Sequence, residues 1–394
     1  MVAWRAYDLD LKDYLIFLSL EKNPNLSNNA VGKEVGLSSE AVRLRRQHMK
    51  DEGFLRPDSI IEDPLLGNRE QTETESVYNP SKLGLERQHV VFQGIRDRKA
   101  LNNIKRVCDE HPYTHYRVMA YADGAAVYAQ FDVPAAATTA MREFYNRIGK
   151  TELVESIFIQ PTAFSSETKA DFQNWDINES KWEIEYGTKS KTGERQSRVE
   201  SIWVSFLNGW ERKPLQAEKI ERVHDFDLLD MQLLREITIN SQPKIKALGD
   251  VYSRDPTTIS RRLKRLKRLV AHDEVLYYDR SVFDLTYPQL IMGRFKSGSE
   301  LDAASLHGFI QSEALPFLCK ATFDEETFCL YLTTPPSFAP EFSEFIWEHA
   351  SQVRVYQLQL DSSFTYYFYY KNHQGDRGWR IDREYLVDLP LQVL

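Results

Sequence analysis

The chain has 394 residues, of which 42% are hydrophobic and 12% aromatic, so it can build two or three packed domains and is not a disordered protein. Its formal net charge of −8 excludes a general positive field, so nucleic-acid binding would have to come from local basic patches. Three cysteines without metal-ligand spacing exclude a disulfide framework, and no apolar run approaches the roughly 20 residues of a membrane span. We therefore expect a cytoplasmic protein without signal peptide, membrane anchor, metal or cofactor.

Residues 1–63 predict a winged helix-turn-helix. Apolar positions at helical spacing indicate a first helix near Leu11, a short second helix near Val31 and a third, basic helix over residues 38–53. Three short helices joined by small-residue turns are typical of a helix-turn-helix, and the strand-like stretch at residues 55–62 indicates a wing. Candidate DNA contacts on the third helix are Arg43, Arg45 and Gln47, although Glu40 and Asp51 share its outer face.

Residues 64–87 are polar and are interpreted as a wing loop or hinge. Residues 88–160 then change period and predict strand, helix, strand, strand, helix and strand, which is the ferredoxin-like order. An Asp-Gly pair, Asp123 and Gly124, joins the two central strands. Residues 161–224 hold four of the seven tryptophans and are interpreted as a packed connector, within which residues 199–210 fit a helix or a strand equally well.

Residues 225–287 repeat the first segment. Without a gap, Asp10, Asp13 and Arg45 each lie 217 residues before Asp227, Asp230 and Arg262, so the chain is an internal duplication. In the repeat, the basic helix at residues 255–270 has an apolar inner stripe and an outer face that suits the major groove. The outward residues are Thr257, Arg261, Lys264 and Arg268, with Ser260 and Arg265 on a flank.

Residues 288–362 repeat the ferredoxin-like order, and residues 363–394 form a C-terminal extension that begins with an aromatic run. The predicted fold class is therefore α+β, with two winged helix-turn-helix domains alternating with two ferredoxin-like domains. Strand stretches such as residues 328–332 are apolar on both sides, so we expect both sheet faces to be covered and the two halves to pair within the chain, with a homodimer as the other arrangement.

The first half, on LDLKDYLIFLSL and LSNNAVGKEVGLSSEAVRLRRQHMKDEGF followed by the ferredoxin-like pattern, resembles the leucine-responsive (Lrp/AsnC) family of transcription regulators. The second half, from FDLLDMQLLREI through SRRLKRLKRLV, resembles it again, so the chain is similar to a tandem family member. The resemblance implies that the helix-turn-helix binds double-stranded DNA, that the sheets dimerise and that an amino acid or other small metabolite acts as effector. It places the effector near Asp123 and Gly124, because that copy keeps the Asp-Gly turn.

The expected function is a sequence-specific regulator that reads an imperfect palindrome with two non-identical helices, the second binding more strongly. No catalytic set is present: the sequence has no glycine-rich phosphate loop, HExxH pair or GxSxG elbow, so we expect no enzyme. Two alternatives remain. Winged helices also serve as scaffolds for protein contacts, and the siroheme decarboxylases resemble the Lrp/AsnC family in both modules.

Overall fold

The computed structural model describes residues 7–63, 67–160, 162–184, 197–215 and 226–394. The chain divides into two compact units. The helix-turn-helix unit contains residues 1–84, 221–282 and 367–380, and the sheet unit contains residues 85–220, 283–366 and 381–394. No helix in the described part of the chain is long and apolar enough to cross a membrane.

The elements are numbered in chain order. The helices are α1 (Leu11–Lys22), α2 (Asn28–Val35), α3 (Ser39–Asp51), α4 (Arg98–Glu110), α5 (Thr138–Gly149), α6 (Arg198–Gly209), α7 (Leu228–Ile239), α8 (Ile245–Tyr252), α9 (Pro256–Leu269), α10 (Ala303–Gln311), α11 (Ala339–His349) and α12 (Leu389–Leu391). The strands are β1 (Ser59–Asp63), β2 (Gly67–Gln71), β3 (Thr74–Tyr78), β4 (Leu85–Ile95), β5 (Thr114–Tyr121), β6 (Ala125–Pro134), β7 (Ser156–Gln160), β8 (Phe164–Thr168), β9 (Trp175–Asp176), β10 (Lys181–Trp182), β11 (Ala271–Leu276), β12 (Tyr287–Phe295), β13 (Leu318–Phe323), β14 (Thr327–Thr334) and β15 (Ala350–Thr365).

The helix-turn-helix unit holds both predicted three-helix copies, α1–α3 and α7–α9. Matching residues start the first helix of each copy, because the Asp10 and Asp227 side chains accept hydrogen bonds from the backbone N–H groups of Asp13 and Asp230. The tight turns also match. A Cβ added at Gly32 would lie 2.5 Å from the Leu37 carbonyl oxygen, and one added at Gly249 would lie 2.9 Å from that of Arg254. The duplication read from the sequence is therefore repeated in local geometry.

The wings differ between the two copies. After α3, β1 and β2 form an antiparallel hairpin, and Arg69 of that hairpin is ion-paired to the buried Glu236 of α7 at 3.0 Å. After α9, β11 pairs with β3 of the first copy. The expectation of a loop or hinge over residues 64–87 is therefore wrong for the described residues, since residues 67–78 supply two strands. Residues 64–66 lie outside the described part.

The sheet unit is built on one nine-stranded sheet in the order β7-β4-β6-β5-β15-β12-β14-β13-β8. Its first four strands come from the first ferredoxin-like copy and the next four from the second. Strand β5 pairs antiparallel with β15 and so joins the two copies. A shared apolar cluster also joins them, with Val91 and Tyr128 from the first copy and Leu290, Met292 and Tyr356 from the second. The predicted α+β class and the β-α-β-β-α-β order of each half are confirmed.

The stretch at residues 161–224, predicted as a connector, contributes to the sheet unit. Strand β8 extends the sheet edge by pairing with β13, and residues 199–210 are mostly helical, within α6. Trp203 of α6 is fully buried against Phe309 of α10 and Phe345 of α11. Residues 161, 185–196 and 216–224 of this stretch lie outside the described part.

The C-terminal aromatic run divides between the two units. Phe364 and Thr365 still pair with β5 at the end of β15. Phe368 lies in the helix-turn-helix unit, where its ring contacts Tyr78 and its carbonyl accepts a hydrogen bond from Arg235. The run therefore begins at an exposed strand end, where Phe364 is 52% exposed, and reaches a packed core only at Phe368.

Candidate nucleic-acid interface

Helix α9 presents a basic face on a firmly packed helix. The Asp255 side chain caps its start, Pro256 occupies the first turn, and Ile259, Leu263 and Leu266 are buried. The opposite side exposes four residues, which we call the α9 outer face: Thr257, Arg261, Lys264 and Arg268. Ser260 and Arg265 are half-buried beside it. The structure thus brings all six predicted α9 residues to the outward side and flank of one helix.

The cations of the α9 outer face are free to meet a ligand. Among the residues that the structure describes, Arg261, Lys264 and Arg268 have no ion pair or hydrogen bond through their side chains. Arg265 differs, since its guanidinium lies 3.5 Å from Asp230 and 5.1 Å from the centre of the Phe226 ring. Three unpaired charges on one side of a helix are suited to phosphates and guanine edges.

Helix α3 has the same position in the first copy but a different surface. Arg43 is exposed and bonded to Glu40 at 2.6 Å, and Gln47 donates a hydrogen bond to Asp51 at 2.8 Å. The hydrogen bond from Arg43 holds the pKa of the Glu40 carboxyl below its usual value. Two of the three predicted contacts of this helix are therefore already engaged by acidic neighbours on α3 itself.

The two outer faces can be compared position by position, using the 217-residue spacing of the repeat. Thr257, Arg261, Lys264 and Arg268 correspond to Glu40, Leu44, Gln47 and Asp51, and Leu44 is 55% exposed. The α9 outer face therefore carries three positive charges, whereas the corresponding α3 positions carry two negative charges and an exposed leucine. Duplex DNA is a polyanion, so only the α9 face is electrostatically matched to it.

Arg45 is placed differently from its predicted role. Its guanidinium points back into its own domain and bonds Asp10 at 2.7 Å and Asp13 at 2.8 Å, and Asp13 is buried. In the second copy Arg262 makes the same contacts with Asp227 at 2.7 Å and Asp230 at 2.9 Å. These hydrogen bonds raise the pKa of Arg45 and lower that of Asp10 despite the opposing effect of its burial. The contacts make Arg45 a brace between α1 and α3. The sequence indicates this structural role, because the two aspartates and the arginine recur together 217 residues later.

A second internal network occupies the remaining cations of α3. Glu73 is 3% exposed and is paired with Arg46 at 2.6 Å and with Lys50 at 2.7 Å. Burial alone would raise the pKa of Glu73, but Lys50 and Arg46 hold it below its usual value. All four Arg and Lys side chains of α3 are therefore engaged within the protein.

The predicted effector residues lie at the turn between β5 and β6. Asp123 is exposed and lines a cleft of about 390 Å³, whereas Gly124 does not line it. A Cβ added at Gly124 would meet no atom within 4 Å, and its φ is not in the left-handed region. No atom of the described chain therefore crowds this position, and neither packing nor φ within the chain requires a glycine there.

A group of side chains that could hold a metal ion lies in the sheet unit. Ligand atoms of Glu200, Glu348 and His349 lie within 4.8 Å of one another, on α6 and α11. His349 Nε2 is 3.3 Å from Glu200 Oε2, and this hydrogen bond raises the pKa of the imidazole. The hydrogen bond between Glu200 and His349 therefore links α6 to α11.

Comparisons with known proteins match parts of this chain at low identity. A family model described as winged helix-turn-helix DNA-binding matches residues 9–56, and no curated protein matches. Among solved structures, AsnC of E. coli is 16% identical over 39% of this chain and 91% of its own, with a TM-score of 0.28. An AsnC family transcriptional regulator from Agrobacterium tumefaciens is 20% identical over 38% of this chain and 87% of its own, with a TM-score of 0.26. Residues 9–56 therefore match a winged helix-turn-helix DNA-binding family, and the chain is similar at low identity to solved AsnC regulators.

The same comparisons correct the expectation that the chain is no enzyme. The siroheme decarboxylase NirDL is 11% identical and covers 88% of this chain and 91% of its own, with a TM-score of 0.47. A complex of NirDL with an iron-uroporphyrin III analogue is 10% identical over 91% of this chain and 94% of its own, with a TM-score of 0.48. A flat exclusion of enzymes is therefore wrong. At this identity and TM-score, the likeness assigns no activity to this chain.

Proposed function

We propose that the protein is a sequence-specific DNA-binding transcription regulator in which α9 makes the principal contact. The observation that carries the proposal is the α9 outer face, where Arg261, Lys264 and Arg268 are exposed on a packed helix and have no partner among the described residues. Arginine and lysine at such positions reach phosphates and base edges in the major groove. Thr257 and Ser260 near the helix start supply hydroxyl groups for shorter contacts.

The first copy has a secondary role in this proposal. Arg43 and Gln47 must leave their acidic neighbours before they contact DNA, which reduces what each contact contributes. Two copies joined by the β3–β11 pairing offer one chain two non-identical helices. The operator is therefore an imperfect palindrome, with half-sites about 34 Å or a multiple apart. We also place a small effector in the cleft that Asp123 lines.

The test is salt-dependent binding to duplexes selected by the protein from a random library. Each phosphate contact contributes about 0.9 to the slope of log affinity against log salt, so Arg261→Ala/Lys264→Ala is expected to lower the slope by about 1.8. The matched control, Arg43→Ala on α3, is expected to lower the slope by less than about 0.9, the contribution of one phosphate contact. Footprinting of the selected site then shows whether a second, weaker half-site is protected.

Three results would contradict the proposal in different ways. Duplex binding unaffected by Arg261→Ala/Lys264→Ala would show that α9 is not the reading helix. No duplex binding by a folded protein would favour a scaffold for protein contacts. Visible absorbance of protein purified with haem precursors, together with the loss of a carboxyl group from the bound tetrapyrrole, would favour a decarboxylase.

A further inference from the structure

A cleft on the sheet unit contains acceptors that no described residue satisfies. It has a volume of about 390 Å³ and lies where β5, β15 and β12 run side by side. Gln289 of β12 pairs in register with Gln357 of β15, and Gln357 pairs in turn with Tyr121 of β5. Residues directly opposite one another on antiparallel strands project on the same side. All three side chains therefore line one wall of this cleft.

The amide of Gln289 has a defined orientation. Gln289 is 3% exposed, and its Nε2 lies 3.3 Å from Ser343 Oγ. The Ser343 hydroxyl donates its only hydrogen to the Ala339 carbonyl, at 2.9 Å, so Oγ must accept from Gln289. The nitrogen therefore faces Ser343, and Oε1 is left buried with no donor among the described residues. An unpaired buried acceptor is costly, so a ligand that donates a hydrogen bond here would be favoured.

Gln357 adds a second acceptor of the same kind, since its Oε1 is also buried without a partner in the described chain. Asp123 adds an exposed carboxylate at the mouth of the cleft. The remaining wall is apolar or aromatic, with Val353, Val355 and Tyr287. Tyrosine faces attract ammonium groups, and the valines suit methylene carbons.

The cleft lining contains one carboxylate and two unpaired amide oxygens against one cation. Arg354 is the one cationic residue that lines it, and its guanidinium donates to Gln93 Oε1 of β4. We propose that the cleft binds an aliphatic amine cation, whose ammonium donates to Gln289 and Gln357 and is neutralised by Asp123. This assignment rests on the proposed regulatory function, because it names the chemical class of the effector.

Calorimetric titration of the full chain with 1,4-diaminobutane, without DNA, tests the assignment. We expect saturable binding that Gln289→Met and Asp123→Asn each weaken at least about tenfold, since each removes a hydrogen bond to a charged group. Glu325→Gln is the matched control, because Glu325 is exposed on the equivalent turn between β13 and β14. Asp123 is exposed, so its variant remains informative if Gln289→Met does not fold.

Ornithine is the second probe, because it has the same diamine chain with an added carboxylate. Binding of ornithine as tight as that of the diamine, lost in Arg354→Gln, would overturn the assignment in favour of a zwitterion. Absence of diamine binding, or equal effects of Asp123→Asn and Glu325→Gln, would also overturn it. Duplex binding is measured on the same variants. If it persists while diamine binding is absent, only the ligand assignment fails, whereas Arg261→Ala/Lys264→Ala tests the DNA function alone.

Discussion

Replacement of Arg45 by alanine separates a structural role from a DNA-contacting one. In the structure Arg45 neutralises Asp13, which is 4% exposed, and also bonds Asp10. Removal of one partner of a buried ion pair costs about 3–5 kcal/mol, because the other charge is left uncompensated. Here the cost is smaller, because the Arg45 side chain is 35% exposed and Asp13 still accepts a hydrogen bond from Tyr7. We therefore expect Arg45→Ala to lower the free energy of unfolding by about 2 kcal/mol, below the range for a fully buried pair.

Urea unfolding followed by circular dichroism measures this loss, and fluorescence anisotropy on the selected duplex measures DNA binding in parallel. Arg45→Ala is expected to lower the unfolding midpoint and leave the salt slope unchanged at temperatures where the variant is folded. Arg43→Ala is the neighbouring control, with unchanged stability because its pair with Glu40 is exposed. If Arg45→Ala is as stable as the wild type and its salt slope falls by about 0.9, the brace assignment is wrong and Arg45 contacts phosphate.

Three further predictions follow from charge, burial and packing. The α9 outer face can be transferred to α3 by the variant Glu40→Thr/Leu44→Arg/Gln47→Lys/Asp51→Arg. Three added cations are expected to raise the salt slope of duplex binding by up to about 2.7. An unchanged slope would show that α3 does not approach DNA. Burial lowers the pKa of His89 and of His111 from 6.5 to about 3, so their stabilising contribution is complete above about pH 6.5 and is lost as the pH falls toward 3. Lowering the pH from 7.5 to 5.5 is expected to reduce the free energy of unfolding by roughly 1.4 kcal/mol for each of these two histidines. Equal stability to urea at the two pH values would contradict this. Gly249→Ala places a Cβ against the Arg254 carbonyl and is expected to lower the free energy of unfolding by about 1–3 kcal/mol. Gly209→Ala is the control, because a Cβ there meets no atom within 4 Å. Equal melting temperatures of the two variants would refute the packing argument.

Helices and strands were predictable from the sequence wherever local periodicity decides the structure. The apolar stripe of Ile259, Leu263 and Leu266 defined α9 and its outward residues, because a helix fixes which positions share a face. The 217-residue repeat predicted the second helix-turn-helix domain, and the repeated order of elements predicted the second ferredoxin-like domain. The periodicity itself needs only neighbours within a few residues.

Partners distant in sequence were not predictable in this way. The pairing of β3 with β11 joins segments almost 200 residues apart, and no local pattern selects one partner strand over another. Strand β8 was missed because a five-residue polar edge strand, FSSET, has little apolar alternation. Arg45 was predicted to contact DNA as a basic residue of α3, but a long arginine side chain can reach a carboxylate on a neighbouring helix, here Asp10 before α1.

The two copies of each domain lie in one polypeptide, and the pairings of β5 with β15 and of β3 with β11 join them. Two separate subunits would dissociate on dilution, with a population set by their concentration. Within one chain the encounter is intramolecular, so the pair persists even when a cell holds a single molecule. The two copies are also always present in equal number and need not be identical. One of them can therefore lose its basic surface without any risk that two impaired copies assemble together.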